Sequence, residues 1–246
     1  MKYMLIHVLN EAHLGDMPPE VEPELTTWAD EMVGRGVELD GARLARTSTA
    51  TTVRTVDGRL EVTDGPFAET KEQIAGYDVL ECDDLDQAVA VASAHPTLHV
   101  GAIEVRPFDD GMPTPEVPET VAEGKRRYLM LVCADMRRAM AAEREAAGTG
   151  AGAEGVEEDT SIIDAWCESV ADRRIYGFPL AYPDRAVTVR RVDGRIVTTD
   201  GPFAETKEQI AGFDLLECHD LDEALEAART HPVASGGVLE VRPLWD

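Results

Sequence analysis

Two stretches of this 246-residue chain carry the same chemistry-bearing residues at the same spacing: DGPFAETKEQIAG occupies residues 64–76 and returns letter for letter at residues 200–212. In such a block Asp64 or Asp200 could act as a general base, and Lys71 or Lys207 could face a developing negative charge. Phe67 and Phe203 would offer an apolar contact to a ligand. A second set comes from alternation. Residues two apart on a strand share a face, so Glu104 and Arg106 point one way while Ile103 and Val105 point the other, and Arg54 alternates against Val53. Arg190, Glu240 and Arg242 repeat that pattern. If two such faces stack, their guanidinium groups line a shared cavity suited to a carboxylate, phenolate or phosphate. His7, inside the apolar run 3–9, is a third candidate, as a lumen-facing catalytic group.

Each set also has a plainer reading. Asp-Gly and Gly-Pro are turn formers, and the polar residues of the repeated block suit an interface between the two copies or charge pairing along a helical turn. The arginines could pair with nearby acids, and His7 could be a hydrogen-bonded core residue. His95 and His231, each before a proline at a helix end, suit cations that complement the helix dipole. The acidic clusters at residues 83–86 and 219–222 read as helix caps rather than metal sites, and no metal is called for. The four cysteines form no CxxC pair, and Cys82 and Cys218 read as small buried hydrophobes. Walker, dinucleotide, GxSxG and HExxH patterns are missing, so no cofactor is expected.

The elements that must hold these residues repeat as well. From 64–96 to 200–232, 24 of 33 positions are identical at an offset of 136. The preceding TVRTVDGRLEVT matches TVRRVDGRIVTT, with Asp-Gly at the centre of each hairpin. Apolar runs at 3–9 and 128–133 read as buried first strands. Leu25, Trp28, Ala29 and Met32 fall at helical spacing, as do Ile163, Trp166, Cys167 and Val170. Asp84 with Gln87, and Asp220 with Glu223, open a second helix in each copy. The order βαβββαβ is an α+β, ferredoxin-like unit. The expected domains are residues 1–110 and 126–246, joined by a Pro-, Gly- and acid-rich linker at 111–125, with a mobile insertion near 141–158.

Lys and Arg number 23 against 48 Asp and Glu, a net charge of −25 that disfavours direct nucleic-acid partners. No apolar run approaches membrane-spanning length, and a cytoplasmic location is expected.

The doubled DGPFAETKE, followed by a strand, an acid-capped helix and a closing EVRP strand, resembles the YCII-related family in its DGPF subgroup. That resemblance implies a dimeric α+β barrel, here formed as an intramolecular pseudo-dimer of two repeats. In some members of that family a His-Asp pair is proposed as catalytic, with the histidine expected on the first helix, and a relative is similar to a dehydrochlorinase acting on a chlorinated aromatic. Residues 24–35 here hold no histidine. The resulting expectation is a small anionic metabolite or aromatic bound between the repeats, with a cofactor-free proton-transfer or elimination step. The alternative is a non-catalytic binding or regulatory accessory protein that uses the DGPFAETKE surface as a protein interface.

Overall fold

In a computed structural model, residues 1–12, 18–109, 111–148 and 161–245 are described. The first repeat runs β1 (Lys2–Leu9), α1 (Val21–Gly34), β2 (Glu38–Arg43), β3 (Thr51–Val56), β4 (Arg59–Asp64), β5 (Gln73–Glu81), α2 (Leu85–Ser93) and β6 (Gly101–Pro107). The second runs β7 (Arg126–Ala134), α3 (Met136–Gly148), α4 (Ser161–Ser169), β8 (Arg174–Pro179), β9 (Val187–Val192), β10 (Arg195–Asp200), β11 (Gln209–Cys218), α5 (Leu221–Thr230) and β12 (Val238–Pro243). Each repeat therefore has one strand more than the sequence suggested. β2 and β8 are short edge strands; polar residues on both faces conceal β2, and Gly177 and Pro179 interrupt the apolar pattern of β8.

The two antiparallel six-stranded sheets have the orders β10-β9-β6-β1-β5-β2 and β4-β3-β12-β7-β11-β8. The hairpins are exchanged: β3 of the first repeat pairs with β12, and β9 of the second pairs with β6. Asp57 and Asp193 adopt φ of 50° and 49°, each followed by glycine at 74°, the positive pair that matches a two-residue turn to strand twist.

β1 is buried on both faces. Met4, Ile6 and Val8 meet Leu129, Leu131 and Cys133 of the facing sheet, while Tyr3 and Leu5 pack under the helices with Trp28 and Met32. The result is a pseudo-dimeric α+β barrel with sheets inside and helices outside. Between the sheets, Asp40 accepts hydrogen bonds from Tyr77 and, across the repeats, from Tyr176. Both capping boxes form, with Asp84 accepting from Gln87 N and Asp220 from Glu223 N. The insertion expected near residues 141–158 falls only partly within the described residues. Residues 141–148 continue α3, and residues 149–158 lie outside the described residues.

Candidate active site

Asp78 interrupts the apolar strand β5 opposite Leu5, and His7, two residues further along β1, shares that helix-side face. A bulge at His7/Val8 shifts the β1–β5 register there. His7 Nε2 lies 2.8 Å from Asp78 Oδ2, and His95 Nε2 lies 3.5 Å from the same oxygen. All three residues are buried. His95 is wedged between His7 (ring centroids 4.4 Å apart) and Trp28 (4.2 Å, edge-on).

One backbone contact assigns the protons. Thr97 N–H donates to His95 Nδ1 at 3.1 Å, so in neutral His95 the proton is on Nε2, facing Asp78. Burial pushes the His95 pKa down to about 3, so the ring is neutral. The expected cation at this helix end is thus corrected: in the interior no water solvates an imidazolium. Burial alone would push the Asp78 carboxyl up, but the attraction and hydrogen bond of the His7 ring N–H, and then the attraction of His95, hold it below its ordinary value. An ionised Asp78 takes the Nε2–H of His7, which leaves the His7 Nδ1 lone pair for a proton. No described residue donates to that nitrogen, and a Cβ at Gly76 would stand 3.2 Å from it.

His7, Asp78 and His95 also have one ligand atom each within 4.8 Å of one another, a spacing a metal could span. The Thr97 contact speaks against that use. A ligating imidazole donates its second N–H, whereas His95 Nδ1 accepts one and keeps a proton on the atom that would bind.

The cluster opens into a cavity of about 390 Å³ between the first sheet and α1. Leu9, Val21, Leu25, Ala29, Leu44 and Val100 form its apolar walls, and Arg43, Arg46 and Trp245 are among its other lining residues. Arg43 is engaged by Glu22 at 2.6 Å, whereas the exposed Arg46 has no ion pair to a described residue. Glu38 on β2 also lines the cavity. Burial, then the charges of Asp78 and Asp40, raise its carboxyl to about 8.

The second repeat holds the same frame without the same site. Val132 stands where His7 does, each opposite the corresponding glycine of β5 or β11. Arg174 replaces Glu38, and its Nε donates to Asp214 Oδ1 at 2.6 Å. The guanidinium carbon lies 5.9 Å from the Trp166 ring centre. His231 keeps the backbone contact, from Val233 N, but sits 3.9 Å from Asp214. A hydrophobe and an ion pair occupy the place of the imidazole and the acid.

The charged inner face is used otherwise than expected. Arg106 and Arg242 are each 1% exposed and are paired with Glu104 and Glu240. They donate across the repeats to the carbonyls of Ile210 and Ile74. Glu240 accepts from Phe67 N at 2.8 Å and Glu104 from Phe203 N at 2.9 Å, so each DGPF turn is held by the other repeat's closing strand. Phe67 and Phe203 pack against the inter-sheet core. Arg54 donates to Phe67 O, and Arg190 forms a two-pronged pair with Glu72 at 2.6 and 2.7 Å. The void beside Glu240 and Arg242 measures about 10 Å³, less than a metabolite needs. The side chains expected to line an anion cavity between the repeats instead satisfy backbone groups that the closed barrel would otherwise strand. Asp64, Asp200, Lys71 and Lys207 are exposed and line no part of the His7 cavity.

The YCII-related domain matches residues 1–109 and 176–246, more than half of the chain. The chain belongs to the YCII-related family. An uncharacterised protein of Rhizobium meliloti (strain 1021) is 52% identical over 61 residues, 24% of this chain and 49% of that protein. The chain spans about half the length of this curated relative. Among solved structures, a haem-binding protein from Thermus thermophilus aligns over 100% of this chain and 91% of its own, with a TM-score of 0.43 and 11% identity. A chlorite dismutase from Candidatus Nitrospira defluvii aligns over 100% and 91%, with a TM-score of 0.40 and 8% identity. In this YCII-related chain the histidine beside the aspartate comes from the first strand, not the first helix.

Sequence reasoning missed Asp78, Glu38, Trp28 and Trp245 as site residues. The first had a signal: a carboxylate inside the apolar runs YDVLEC and FDLLEC, kept in both copies. Glu38 had none, because its counterpart is an arginine.

Proposed function

We propose that this protein is a cofactor-free acid-base enzyme with one working site, in the first repeat, acting on a small apolar or aromatic molecule that carries an anionic group. The observation that supports it best is the orientation of His7. Asp78 takes its Nε2–H, so Nδ1 can accept a proton from a substrate carbon or hydroxyl at the cavity. His95, its Nε2 3.5 Å from the same carboxylate oxygen, supports the aspartate. The cavity, at about 390 Å³, suits a metabolite, and small-molecule sites begin at about 300 Å³. Arg46 among the lining residues supplies a cation for the anionic group, and Trp245 a flat apolar surface.

The non-catalytic reading draws less support, because the DGPF turns and Glu72 are engaged inside the molecule. The test is deuterium incorporation from solvent into a panel of aryl pyruvates and hydroxylated aromatics, followed by NMR. Exchange in the wild type that disappears in His7→Gln and persists in Asp64→Asn is the expected result. Exchange unaffected by His7→Gln would overturn the assignment.

A further inference from the structure

We infer that Glu38 is the acid partner of His7, carrying a proton that it delivers to a carbonyl or phenolic oxygen of the substrate. This rests on the proton-transfer reading above and narrows its substrate class to small ketones and their enol or phenol tautomers.

The argument begins with crowding. A Cβ on Gly41 would lie 2.6 Å from both Asp78 Oδ1 and Glu38 Oε1, so the two carboxyl groups close around the same bare Cα. Glu38 Oε2 is enclosed and has no hydrogen-bond partner among the described residues. Two carboxylates so near each other cannot both stay ionised away from water. Asp78 faces two imidazole N–H groups and keeps the charge. The groups around Glu38 are then Asp78 on β5, Asp40 on its own strand, His7 on β1 and neutral His95 beyond α2. None of the cavity's cations pairs with it among the described residues. The proton falls to Glu38.

The second repeat supplies an independent observation. Glu38 pairs in register with Leu80, and Arg174 with the equivalent Leu216. From that position the Arg174 side chain reaches Asp214 directly. A side chain at this place on the edge strand therefore meets the buried aspartate, and the first repeat has put an acid there.

The step balances without a cofactor. His7 Nδ1 takes a proton from the carbon beside the carbonyl; that C–H bond breaks and its electron pair forms the new C=C. The carbonyl oxygen takes the Glu38 proton, leaving an enol, a Glu38 carboxylate and an imidazolium. Reversal, with the imidazolium proton returned to the same or a conjugated carbon, restores both groups.

The experiment uses full-length protein labelled with 13C at the glutamate carboxyls, and phenylpyruvate as the probe. One carboxyl resonance titrating near pH 8 in the wild type, and lost in Glu38→Gln, is expected. Glu38→Gln should also slow deuterium exchange by about 100-fold, the lower range for one acid-base group, while phenylpyruvate still raises Tm. Gly41→Ala is a second variant, expected to spread the carboxyls and lower the same midpoint. A Glu38 midpoint in the ordinary carboxylate range, or wild-type exchange in Glu38→Gln, overturns the inference. Loss of exchange in Glu38→Gln with full exchange in His7→Gln would instead overturn the base assignment and leave Glu38 standing.

Discussion

Glu38 and Arg174 occupy one register position in the two repeats, an acid beside Asp78 in the first and a cation paired with Asp214 in the second. Glu38 leaves Asp78 to the histidines, while Arg174 neutralises Asp214 and donates from Nη2 to Gly177 O. Arg174→Leu should destabilise the protein by about 3–5 kcal/mol, because a buried carboxylate loses its partner. Urea melts at pH 7.5 check this. Val132→His with Arg174→Glu should build a second site, raising the calorimetric stoichiometry of phenylpyruvate from one to two. Unchanged stoichiometry in a folded variant would show that the second cavity is closed by more than these two side chains.

The buried arginines of the closing strands test how the sheets are joined. Arg106→Met removes the partner of Glu104 and the donor to Ile210 O, and should cost about 3–5 kcal/mol. Glu104→Gln added to it should recover part of that loss, since a neutral amide can still accept from Phe203 N and no longer carries a stranded charge. Denaturation midpoints of the single and double variants give the comparison.

The two buried histidines should withdraw stability as the pH falls from 6.5 to 4. Burial drives His95 to about 3, and burial followed by the Arg174 charge takes His231 to about 4, against 6.5 when unfolded. In that window the unfolded chain takes up protons that the folded one refuses, so unfolding gains as pH drops. Asp214 works the other way: raised to about 6, mainly by burial, it adds stability that is complete below 3.8 and lost as pH rises through 6. Glu38, raised to about 8 by burial and then by the charges of Asp78 and Asp40, acts in the same sense as Asp214, so two histidines stand against two carboxyls. His95→Asn with His231→Asn keeps an oxygen for the Thr97 and Val233 amides, and Tm should then respond more favourably to acid between pH 6.5 and 4 than it does in the wild type.

Cutting the chain within residues 111–125 should give two fragments that copurify as one particle of the parent mass. Each six-stranded sheet needs a hairpin from the other fragment, β9–β10 for the first and β3–β4 for the second. Light scattering that found two stable monomers would contradict the exchanged topology.

The sequence by itself determined the repeat, the helices, the hairpin turns and the capping boxes, because each is written in contacts a few residues apart. Asp57-Gly58 requires positive φ whatever surrounds it, and Asp84 with Gln87 closes a helix end locally. It also showed that Glu104 and Arg106 share a face. Only the tertiary structure decided what that face meets. The sheets closed over it, and the arginines became donors to carbonyls more than 100 residues away. The site has the same origin. His7 and Asp78 are 71 residues apart and meet through strand register, and His95 joins them from beyond a helix. Glu38 stands on an edge strand that its polar residues concealed. Periodicity reports which face a residue takes; which partners lie across from it is fixed by how the chain closes on itself.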